Sequence, residues 1–134
     1  MVRFVLIAML CAAASSCSSD TPAAPDTPFD VMVVLAPGET QTVTGSTLRV
    51  RFDAVLNDSR CPGDALCILG GDAIVQITIL PDGSTAAIYE LHTGDMQPAH
   101  YNNVTITLVQ LVPYPFVSNP IDPRAYRAKL RLTR

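Results

Sequence analysis

Tryptophan is absent from this chain of 134 residues, only two histidines occur, and no apolar run exceeds 11 residues. Each shortage excludes something. Without tryptophan there is no buried indole plug of the kind found in immunoglobulin-type cores. With His92 and His100 in one short stretch, no serine, histidine and aspartate arrangement can be assigned for nucleophilic catalysis. An apolar run of 11 residues falls short of the roughly 20 that a permanent membrane-spanning helix needs. Basic residues are also scarce: setting Arg3 aside, eight stand against twelve acids, a net charge of −4. Nucleic-acid binding relies on a concentrated basic surface, so it is not expected here. Five basic residues do fall between Arg124 and Arg134, but they alternate with apolar ones and read as a solvated strand face.

What is present begins with an export pattern. Arg3 precedes the apolar run FVLIAMLCAAA at 4–14, and Ala14-Ser15-Ser16-Cys17 follows it. This junction resembles a bacterial lipoprotein signal, in which small residues precede a cysteine that is lipidated and becomes the mature N-terminus. Leu is usual three residues before that cysteine, and Ala14 stands there. The resemblance implies a signal peptide over 1–16 and a lipid on Cys17. Ser18 rather than Asp after the cysteine resembles the sorting pattern for the outer membrane, with the domain facing the periplasm. The proline-spaced stretch SSDTPAAPDTP at 18–28 has no apolar periodicity and reads, with Cys17, as an extended tether over 17–28. The domain then occupies 29–134.

Period-two alternation dominates that domain. Leu48, Val50 and Phe52 oppose Arg49, Arg51 and Asp53 in 47–56; Ala73, Val75, Ile77 and Ile79 share one face of 72–80. Pro81-Asp82-Gly83-Ser84 supplies turn chemistry, so 85–93 is expected to return as a hairpin. In 103–111 the pattern runs through Val104, Ile106 and Leu108, then shifts phase to Val109 and Leu111, which predicts a bulge or a change of pairing. Tyr126, Ala128, Leu130 and Leu132 point inward from 126–133, and shorter strands are expected at 30–35 and 40–44. Seven short strands without a helical period predict an all-β antiparallel sandwich, with a small barrel as the alternative.

The stretch DSRCPGDALCILGGDA at 58–73 holds the domain's two cysteines. Zinc sites on paired cysteines use two- to four-residue spacers and a second ligand pair, whereas Cys61 and Cys67 are separated by five residues and have no such pair. A redox motif would bring the thiols closer on a helix start. A disulfide closing a short loop fits better, suits an oxidising compartment, and contributes roughly 2 kcal/mol by chain entropy. Asp58 and Arg60 beside it form either a clamp, with each other or with Asp64, or a carboxylate-binding contact. Gly70-Gly71 precedes a strand without the Lys and helix of a phosphate loop, so a bulge or a tight strand entry is expected there.

His92, Met96 and His100 recur every four residues in an expected loop, and imidazole with thioether suits copper. Gly94 and Pro98 argue against a helix that would align them. No catalytic residues and no cofactor are assigned.

DSRCP, then Cys67 and GGDA, with LVPYP at 111–115, Ile121 and YRAKLRL at 126–132, resembles a pattern of uncharacterised bacterial exported proteins and lipoproteins. Their motif has the form D-S-R-C-P, four residues, C-I-W-A-G-x-A, and Leu69 and Gly70 replace its Trp and Ala here. The resemblance covers roughly 37–134 and implies a small disulfide-bearing β domain with no assigned activity. The expectation is a non-enzymatic, lipid-tethered domain of the cell envelope with a binding or structural role and an unknown envelope partner; copper binding in the periplasm is the alternative.

Overall fold

The computed structural model describes residues 27–134. The export run, Cys17 and most of the tether expected from the sequence lie outside the described residues.

Alternating apolar residues put one face of each segment against a common interior, and eight strands result. They are β1 (Asp30–Leu35), β2 (Thr40–Thr42), β3 (Arg49–Asp58), β4 (Ala73–Leu80), β5 (Ala87–His92), β6 (Ala99–Tyr101), β7 (Val104–Val112) and β8 (Arg127–Thr133). One sheet has the order β1-β8-β7-β6 and the other β2-β3-β4-β5, with every neighbouring pair antiparallel. The molecule is a two-sheet sandwich and not a closed barrel. Ala73, Val75, Ile77 and Ile79 are completely buried from one sheet, and Ala128, Leu130 and Leu132 from the other. Phe52 heads the largest fully buried side chains, so a phenylalanine with surrounding aliphatic residues fills the core in place of an indole.

Several boundaries differ from the sequence expectation. The eighth strand, β6, is three residues long, too short to show a period; Asn102 at φ 52° and Asn103 turn it into β7, where Tyr101 pairs with Val104. His100 therefore lies on a strand and not in a loop. β2 stops at Thr42, although the next residue, Val43, is completely buried. In β7 the register shifts between Leu108 and Gln110. Leu111 is buried as expected, whereas Val109, the extra residue of the bulge, faces outward. β3 carries two further shifts, between Phe52 and Ala54 and between Val55 and Asn57, and continues to Asp58.

Pairing of Asp30 with Thr133 and of Thr105 with Thr133 sets the chain's entry into β1 at one pole. The ends of β3 and β7 and the start of β8 meet at the other.

Candidate functional site

At that second pole the cysteine loop leaves β3 and returns to β4. Cys61 and Cys67 form the expected disulfide, with their Cα atoms 5.9 Å apart. Immediately before it, Arg60 is 92% withdrawn from solvent, with a relative exposure of 8%. Burying a guanidinium without partners is costly, and Arg60 has several. Its Nε donates to Asp58 Oδ1 at 2.8 Å and its Nη2 to Asp58 Oδ2 at 2.6 Å, a bidentate pair. The remaining reach goes to backbone carbonyls: Nη1 to Leu111 at 2.8 Å and Nη2 to Pro113 at 2.9 Å. The Tyr114 ring lies 5.4 Å from the guanidinium carbon. Tyr126 closes the cluster by donating its hydroxyl to Asp58 Oδ2 at 2.9 Å.

The electrostatics follow from this geometry. Burial pushes the Asp58 carboxyl up, but hydrogen bonds from Arg60 and Tyr126 together with the guanidinium charge outweigh it and hold Asp58 below the ordinary carboxylate value. The Asp58 hydrogen bond raises Arg60. Burial, then the hydrogen bond to Asp58, pushes the Tyr126 hydroxyl up to about 12. All three groups thus hold fixed protonation states near neutrality. Residues of DSRCP, LVPYP and YRAKLRL, three of the segments quoted for the resemblance, meet at this one cluster.

Asp64, the other candidate partner for Arg60, is engaged elsewhere. Its carboxylate accepts from Val117 N at 2.7 Å and from Ser118 N and Oγ at 3.1 and 2.9 Å, tying the disulfide loop to the segment after β7. Gly63 N donates to Pro115 O at 2.9 Å, reinforcing the same junction. Gly71 serves the strand entry: a Cβ there would lie 1.5 Å from the Ser59 carbonyl oxygen. Only glycine lets the two backbones approach this closely, while Ser59 N donates to Asp72 O at 2.7 Å.

Asp72 organises a second cluster. Its Oδ2 lies 2.5 Å from His92 Nδ1, and its Oδ1 accepts from Thr93 Oγ1 at 3.0 Å and Gly94 N at 2.8 Å. The Asp72 hydrogen bond raises the His92 pKa, and Asp72 itself is lowered because these donors outweigh its burial. His100 is placed differently, with Nδ1 3.2 Å from Thr105 Oγ1 and its carbonyl accepting from Tyr89. Met96, with φ 51°, sits in the turn between them. Among the described residues, no group of three or more His, Cys, Asp or Glu side chains is placed to hold a metal.

Between the disulfide loop, the Thr93–Met96 turn and β7 lies a cavity of about 390 Å³, reached by Arg60, Gly70, Met96, Val109 and Tyr114. Asp58, Arg60 and the cysteines stand out in the sequence, whereas Asp72, Tyr114 and the Leu111 and Pro113 carbonyls carry no local signal there. The tyrosines were visible as residues; their convergence required the sheet register.

Fold and pole together define a small antiparallel β-sandwich with one stapled, ion-paired end. The chain matches no protein-family model, no curated protein and no solved structure.

Proposed function

We propose that this is a non-enzymatic domain of the bacterial cell envelope, exported by residues 1–16, tethered through a lipid on Cys17, and binding a partner at the pole away from the tether. The observation that carries the reading is the molecule's polarity. The chain enters β1 beside Thr133, whereas the disulfide loop and the cavity lie where β7 ends and β8 begins. That far pole also exposes Leu66, Ile68, Leu69, Tyr114, Phe116 and Val117. Apolar side chains grouped at a solvent surface mark contact sites more often than they mark solvated ends. The ionic cluster of Asp58, Arg60 and Tyr126 beneath them gives a rigid support.

Intact-mass measurement of the membrane fraction tests the anchor. The expected species begins at Cys17 and carries acyl chains; an unmodified Cys17 overturns it. Titration with Cu(I) and Cu(II) tests the partner reading from the other side. Saturable copper binding that disappears in the His92→Ala, His100→Ala double variant would replace it with metal handling.

A further inference from the structure

The two sheets differ in charge. On β1, β6, β7 and β8 the bases Arg127, Lys129 and Arg131 stand against Asp30 alone, whereas β2 to β5 carry Asp53, Asp58 and Glu90 against Arg49 and Arg51. The three bases of β8 alternate with buried Ala128, Leu130 and Leu132, so all three point outward. Pairing with β1 sets Val34 beside Lys129 and Met32 beside Arg131, and both apolar side chains are about half exposed. A basic row edged by two apolar residues results. Asp30 pairs with Arg131. Among the described residues no carboxylate pairs with Arg127 or Lys129, and Arg127 donates only to the Arg124 and Tyr126 carbonyls. β1 is the outer strand of this sheet, and it begins at Asp30, just after the stretch that reads as a tether.

We propose that this face of β1 and β8 rests on the anionic lipid surface that holds the anchor, with Arg127 and Lys129 toward lipid phosphates and Met32 and Val34 against the headgroup region. Cations are attracted to an anionic surface, and half-exposed apolar side chains are better placed at an interface than in water. Two uncompensated charges are too few to hold a free protein on lipid. A tether changes the balance, because residues 17–28 can span at most about 40 Å. That keeps the domain near the surface at an effective concentration where a weak contact is populated. The tether also joins the sheet that bears the face. A polyanion in solution has no such advantage, which favours lipid over nucleic acid or an acidic protein as the occupant.

This inference rests on the anchored reading above and adds the orientation of the domain on its membrane. Lys129 is the only lysine of the chain and sits in the middle of the face, so its amine reports contact without labelling elsewhere on the domain. The whole exported chain is incorporated into vesicles of phosphatidylcholine, alone or mixed with phosphatidylglycerol, and acylation of Lys129 by an uncharged, water-soluble reagent is followed by peptide mass. Labelling is expected to be at least about fivefold slower on the mixed vesicles, and high salt is expected to remove the difference. The Met32→Glu, Val34→Glu double variant, changed only at exposed positions, is expected to lose it too when normalised to its own rate on phosphatidylcholine. Equal rates on the two vesicles overturn the proposal. So does a difference that survives in the double variant, because it then reports surface potential without contact. Protection by an envelope extract but not by lipid assigns the face to a protein and overturns it as well. Should Cys17 carry no acyl chain, coupling its thiol to a maleimide-bearing lipid supplies the tether, so failure of the anchor and failure of this inference are separate results.

Discussion

Asp58 joins two sheets through a single carboxylate. One oxygen receives Arg60 Nε, and the other receives both Arg60 Nη2 and the Tyr126 hydroxyl. Removing either charge leaves the other buried without its counter-ion, which typically costs about 3–5 kcal/mol. Arg60→Ala and Asp58→Asn are therefore each expected to lower unfolding free energy by about that amount in denaturant titrations. Arg60→Lys is expected not to restore it, because an ammonium cannot form the bidentate pair and reach both carbonyls. The pH dependence has a definite sign. Asp58 is held below its ordinary value of 3.8, so its contribution is fully present above that pH and is lost as pH falls through the depressed folded value. For His92 the sign is opposite. Its pKa is raised, so its contribution is present below 6.5 and lost as pH rises through the folded value. Both His92 and Asp72 are about one-third exposed, and solvent screening keeps that pair's contribution small. An NMR titration checks the cause: Asp72→Asn is expected to bring the His92 pKa down toward its ordinary value.

The disulfide loop acts as an element in its own right, fixed at both ends and along its side. Cys67→Ser is expected to cost about 2 kcal/mol by chain entropy. Hydrogen exchange should rise at 62–70 and also at Val117 and Ser118, whose amides depend on Asp64. Unchanged protection at Val117 and Ser118 would show that Asp64 holds them without the staple. Rapid alkylation of both thiols in the native protein would contradict the bond itself. Elements with a strong period were readable from the sequence because burial of one face dictates them: β4 and β8 fall where Ala73–Ile79 and Tyr126–Leu132 alternate. The bulge in β7 was readable from its broken phase. β6 was not, since three residues carry no period, although Asn102-Asn103 before a strand is a hairpin signal. The two shifts in β3 were also hidden, because Ala54, Val55 and Leu56 give no alternation to break. The candidate site was legible in part. Cys61 and Cys67 could pair only with each other in the domain, and Asp58 and Arg60 were adjacent candidates. Their bonds to Leu111, Pro113 and Tyr126 cross 51 to 68 residues of chain, a relation that no local pattern encodes.

At the scale of the molecule, stability rests on one core shared by both sheets. Phe52→Ala removes its largest fully buried side chain and is expected to cost about 3–5 kcal/mol, enough to consume much of a small domain's margin. The strand ends at the far pole, unlike the disulfide loop between them, should lose their order only with the whole, because β3, β4, β7 and β8 each run from the core into it. At the near pole, Arg134 N donates to Phe29 O at 3.0 Å, and the Arg134 guanidinium lies over the Phe29 ring. The domain is thus close to a closed circle of chain. A permutant that joins Arg134 to Phe29 through a short linker and opens between Asp82 and Gly83, in the β4–β5 turn, should fold with the same disulfide. In that form any cargo fused at the new ends would hang from a hairpin tip, clear of both the stapled loop and the cavity.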